Sequence, residues 1–183
     1  MSEKNTLIRS AHDLGLAAWL GGSLMGAVGL NGAAAKAKDP AERLELSSIG
    51  WGRWAPVNAA AIGVHALGGA GLIAVNRSRL EGQPGARANT LVKAVLTVAA
   101  MGLTAYSGRL GKTVHEHSSQ GGHGSTEPKA TASPELEKAQ KQLKLTQWAI
   151  PAVTGVLLVM GANQGEQQRP QSLLSNQLSR ITG

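Results

Sequence analysis

Four long apolar stretches constrain this chain more than any other feature. They fall at about residues 10–35, 55–76, 89–110 and 147–163. Each approaches the ~20 residues a helix needs to cross a bilayer, the last being shortest. The segments between them are polar, so the mean hydropathy of −0.08 conceals the pattern. The expected fold is all-α: an integral membrane four-helix bundle, with residues 1–183 forming one domain and a polar tail over 164–183.

The composition agrees. Aromatic residues make up only 3% and Phe is absent, so the apolar mass is Ala, Leu, Val and Gly. Many of the 24 glycines lie inside the apolar stretches. In a soluble helix each would cost ~1 kcal/mol against Ala. In lipid, helix association depends on close backbone approach, which small residues permit. Gly22-x-x-x-Gly26, extended by Ala18, is such a packing face in the first span. With no Cys, thiolate metal sites, disulfides and thiol nucleophiles are excluded. The net charge of +7 is spread over every connecting segment and flanks the apolar spans. That placement fits anionic headgroups and argues against nucleic acid. No cleavable leader is expected, because the first span is long and follows Arg9, His12 and Asp13.

Local signals set the expected connections. Lys36, Asp39 and Pro40 end the first helix. Residues 40–53 read as a short amphipathic connection or an ordinary loop. Pro56 suits the first turn of the second helix. Gly82, Pro84 and Gly85 mark a tight polar loop. Residues 115–132 hold Gly, Ser and His without apolar anchors and are expected to be flexible. Ser133, Pro134 and Glu135 restart a helix. Trp51, Trp54, Tyr106 and Trp148 fall at one end of the spans and read as a one-sided interfacial belt. Four spans put both termini on one side of the cell membrane, and the short basic loop at 77–93 favours the cytoplasm.

Three polar groups are candidates for function. His65 stands near the middle of the second span, where it is a haem or metal ligand, a proton relay, or a neutral histidine bonded to a neighbouring helix. Span counting places His12 about 12–14 Å from it in depth, too far to share one ligand. Asp13 and Lys93 fall at similar depth and suit an ion pair between the first and third helices. His115, His117 and His123 could bind a borderline metal, or simply be solvated. No phosphate-binding loop, His-Glu-x-x-His or Gly-x-Ser-x-Gly occurs.

His12-x6-Trp19-Leu20-Gly21-Gly22 resembles the opening helix of copper-resistance D-type membrane domains. It is also similar to the small four-span group typified by transmembrane protein 205. Trp51-Gly52-Arg53-Trp54-Ala55-Pro56 resembles the aromatic-Pro entry to that group's second helix. The likeness covers about the first third of the chain. Size favours the four-span group, which implies no enzyme chemistry. The Phe-free, Ala- and Gly-rich composition points to a GC-rich bacterial genome. The expected function is a non-enzymatic accessory subunit that contacts lipid and other membrane proteins and needs no cofactor. The alternative is a protein handling haem or copper through His65 or the loop histidines.

Overall fold

The computed structural model describes residues 3–166, so the end of the polar tail, 167–183, lies outside the described residues. Helix α1 runs Glu3–Met25 and continues through a wide π turn, Gly26–Leu30, into α2, Asn31–Ala34. Helices α3 (Pro40–Val75), α4 (Arg77–Gly82), α5 (Pro84–Glu116) and α6 (Pro134–Glu166) follow. The described residues contain no strand beyond one isolated bridge, Gly124 with Glu127. Four helices are long and apolar enough to cross a membrane: Thr6–Ala34, Pro40–Val75, Pro84–Glu116 and Pro134–Asn163. α1 packs on α3 and α6, and α5 packs on α6 and α3.

The long helices exceed the expected spans, most of all at the α3 start. Residues 40–53 are not a separate connection but the opening turns of α3. Asp39 explains this: its carboxylate accepts from the Ala41 amide at 2.9 Å, and Pro40 takes the first helical position. Proline stops a helix behind it and starts one ahead of it. Pro56 is therefore inside α3, not at its entry. Residues 77–82 form the short helix α4 within the expected tight loop, with Arg77 paired to Glu81 at 2.9 Å.

α3 has 36 residues, about 54 Å of helix, well beyond a ~30 Å hydrocarbon core. The excess lies at the end where α3 starts and α5 stops. There Leu44, Leu110, Val114, Leu136, Ala139 and Leu143 form an ordinary apolar core.

The segment expected to be flexible lies over this core as a packed cap. It begins with a 3-10 turn, Ser118–Gln120, and includes buried Ser125 and Thr126. Its polar backbone is satisfied by the helices beneath it. The Gly122 amide donates to the Pro40 carbonyl at 3.1 Å. Gln140, wholly buried, donates its amide to the carbonyls of Gly124 (2.9 Å) and Ser125 (3.3 Å). Gly121 turns the chain at φ 71, where a side chain would also strike Pro40. Lack of apolar residues pointed to disorder, but hydrogen bonds and glycine packing supply the order instead. The helix restart is as expected: Ser133 Oγ accepts from the Leu136 amide at 3.3 Å.

Gln140→Leu removes the clamp: the Gly124 carbonyl keeps the Glu127 amide, but the Ser125 carbonyl loses the Gln140 donor, a loss of about 1–3 kcal/mol. Trypsin in detergent should cut the wild type slowly at Lys129 and the variant at least several-fold faster. Equal cutting rates would show that Gln140 does not hold the cap.

Candidate functional site

Along its spans the bundle is largely apolar outside and mixed inside, where Leu16, Trp19, Ala100, Ile150 and Leu157 form an apolar cluster beside buried polar residues. Leu7, Leu14, Leu67, Leu91, Val95, Val98 and Val159 are exposed, while Ser23, Asn58, His65 and Thr154 are buried. Burying polar groups is tolerable only when they find partners. Two clusters show how they do.

The first joins α1 to α3 through histidine. Gly15 and Gly68 let the two backbones meet. A Cβ on Gly15 would lie 2.6 Å from the Ala61 carbonyl oxygen, and one on Gly68 2.8 Å from His12 Cβ. At this contact His12 Nδ1 donates to the His65 carbonyl at 2.8 Å, and His65 Nδ1 donates to the His12 carbonyl at 3.0 Å. The rings stack with centroids 4.0 Å apart and planes at 17°. A carbonyl can only accept, so each Nδ1 carries hydrogen. In the neutral ring each Nε2 then holds a lone pair. Thr97 Oγ1 stands 3.5 Å from that of His65. Trp19 meets His65 edge-on at 6.3 Å and donates its indole N–H to Thr104 at 3.2 Å.

The expected 12–14 Å depth difference between His12 and His65 is therefore wrong. Counting assumed that the second span starts at Ala55, but α3 starts at Pro40 and its register is set by the Gly15 and Gly68 contacts. The His12-x6-Trp19 spacing is two helical turns, which places both side chains on the face that meets His65.

The second cluster centres on Asn31, just after the π turn. Asn31 donates to Gln147 Oε1 at 2.7 Å, and its own oxygen accepts from Ser47 (3.0 Å) and Trp51 (2.9 Å). Three helices are thereby tied together. Gly22 and Gly26 face α3 inside the protein, where a side chain on either would collide with the rings of Trp54 and Trp51. Ala18 is exposed and is not part of that contact. Trp51 and Trp54 are thus half-buried packing residues, and only Tyr106 and Trp148 of the expected belt are exposed.

Beside the histidine pair lies a cavity of about 630 Å³. Arg9, Asp13 and Lys93 all line it, with His12, His65, Thr90 and Thr97. Asp13 and Lys93 thus both line this cavity, and so does Arg9. Small residues at Ala66, Gly69, Ala94 and Gly161 leave the space.

The loop histidines do not join this site. His117 Nδ1 donates to the Thr113 carbonyl at 2.9 Å, and its Nε2 is 3.6 Å from Glu135. His115 and His123 are exposed. Among the described residues no group of three or more His, Cys, Asp or Glu is placed to hold a metal ion.

No family model matches the sequence, and neither a curated protein nor a solved structure is similar to it. The likeness of the first span to copper-resistance D-type domains rests on the residues quoted for it.

Gly15 and Asn31 were not singled out by sequence. A signal existed for both: Gly15 lies seven residues before Gly22 on the same helix face, and Asn31 is a polar residue within an apolar span. Gly68→Val should lower the thermal midpoint in detergent by an amount worth 1–3 kcal/mol or more, the usual cost of overpacking. Gly21→Ala, where a Cβ meets open space, should cost nothing. Equal behaviour of the two variants would remove the close α1–α3 contact from the account.

Proposed function

We propose that this chain is a non-enzymatic, four-span integral membrane protein that serves as an accessory subunit of a larger membrane assembly. The observation that carries the membrane reading is the exposure of large apolar side chains all along the spans, with polar residues such as His65 and Thr154 buried and hydrogen-bonded inside. Water would penalise that arrangement at about 25 cal/mol per Å² of exposed apolar surface, whereas lipid does not. The extended ends of α3, α5 and α6 then project from the bilayer as a polar-capped stalk.

The non-enzymatic reading follows from how the buried polar groups are used. His12, His65, Asn31 and Gln140 each bridge separate elements. The accessory role is supported by α5. Only 6% of its apolar window is buried within this chain, which leaves a broad wall for lipid or another membrane subunit. The alternative of haem or copper held by His65 finds less support in the geometry. Stacked imidazoles at 17° keep their in-plane Nε2 lone pairs in two nearly parallel planes, which do not converge on one ion between the rings.

Carbonate washing of membranes should leave the protein in the pellet, and mild detergent extraction followed by mass spectrometry should recover it with other membrane subunits. Release into the aqueous wash would overturn the membrane reading. Consistent isolation as a lone monomer would overturn the accessory one.

A further inference from the structure

The cavity beside the histidine pair runs along the helices, not across them. On α5 its lining extends from Ala86, in the first turn, to Met101, about 22 Å deeper at the helical rise. Asn76, at the α3 terminus, and Leu80 of α4 line the shallow end, which therefore lies at the α3–α5 connection. Leu16 and Leu157 line the deep end. Both belong to the buried apolar cluster with Trp19, Ala100 and Ile150, which plugs the bundle beyond. The histidines stand against this plug, since Trp19 meets His65 edge-on at 6.3 Å.

Water suits this space better than lipid does. Five ionisable side chains line it: Arg9, His12, Asp13, His65 and Lys93. Whatever partners the charged ones have, ionisable groups within spans face the protein interior or a water-filled space. At about 630 Å³ the cavity is roomy as well as polar, and it holds roughly twenty waters at ~30 Å³ each.

The histidine pair offers that water one kind of site. Both Nδ1 atoms donate to backbone carbonyls, so only the Nε2 of either ring can gain or lose a proton. The rings are 4.0 Å apart, and two positive rings at that distance repel, so the pair takes up one proton as a unit. The charged residues facing it are Arg9 and Asp13 from α1 and Lys93 from α5; the described lining from α3, α4 and α6 adds none.

We propose that this cavity is a one-sided, water-filled vestibule through which the His12–His65 pair exchanges a proton with the compartment at the α3–α5 connection. A hydronium ion at the deep end passes its proton to an Nε2 lone pair and remains as water. The reverse step restores the lone pair. The Nδ1 bonds that join the helices persist in both states. The vestibule presupposes the membrane-spanning reading, but not the accessory role.

A chain without Cys allows each introduced thiol to be read alone. Single-cysteine variants of the full chain, in membrane vesicles of one orientation, are exposed to a membrane-impermeant methanethiosulfonate on one side at a time. Ser78→Cys in α4 marks the connection side, and Ser119→Cys the cap side. Ala94→Cys and Ala66→Cys, in the cavity lining, should react only from the side that labels Ser78→Cys. Val95→Cys, exposed on the apolar surface, should react about tenfold more slowly or worse, because a thiol in apolar surroundings ionises poorly. Ile62→Cys, one turn deeper than Ala66 and packed on the plug, should behave like Val95→Cys. Trp19 reports the proton, because a positive charge on the His65 ring perturbs the adjoining indole. Rapid acidification of the connection side should change tryptophan emission, acidification of the cap side should not, and Trp19→Phe should abolish the change.

If Ala94→Cys and Ala66→Cys are as unreactive as Val95→Cys, the cavity is dry and the proposal fails while the membrane reading stands. Labelling or an emission change from both sides would overturn one-sided access. Emission indifferent to pH on either side would overturn proton exchange. Val95→Cys labelled as fast as Ser78→Cys would overturn the membrane reading itself.

Discussion

Two helix backbones touch at Gly15 and Gly68, and the remaining features depend on that contact. Only at this separation can each histidine ring reach the other helix's carbonyl. The reciprocal bonds lock the register of α1 against α3. That register seats Trp54 over Gly22 and Trp51 over Gly26, and brings Ser47 and Trp51 to Asn31. A hydrophobic contact would not fix register in lipid, because a slipped helix buries equivalent surface. Hydrogen bonds between named groups do fix it.

The two ends of the bundle are built on different principles. At the α3 start, an apolar core lies beneath a polar cap, as in a soluble protein. Toward the α3–α5 connection, small residues leave a cavity, and charged side chains gather on its wall. The first end is closed by Gln140 and the glycines of the cap. The second remains roomy because Ala66, Gly69 and Gly161 fill little volume.

The sequence carried the number of long helices, their apolar character and the restart at Ser133. These depend on local patterns: run length, capping and proline position. The sequence did not carry the pairing of His12 with His65, because helix register is a tertiary quantity and Pro40 signals both a stop and a start. Nor did it reveal order in the 115–132 segment. Composition reports how much apolar surface a loop can bury, but not whether a distant glutamine will satisfy its carbonyls. The small-residue face was half legible: Gly22 and Gly26 receive tryptophan rings, Ala18 faces outward, and Gly15 does the closest packing.

The central claim is that His12 and His65 hold α1 to α3 through their Nδ1 hydrogens. It is tested most directly by nitrogen NMR of histidine-labelled protein in bilayers, with His115, His117 and His123 changed to Asn so that two signals sets remain. The account predicts a hydrogen on Nδ1 in both rings, with a through-space contact between them. An Nδ1 without hydrogen in either ring, or the absence of that contact, would contradict it.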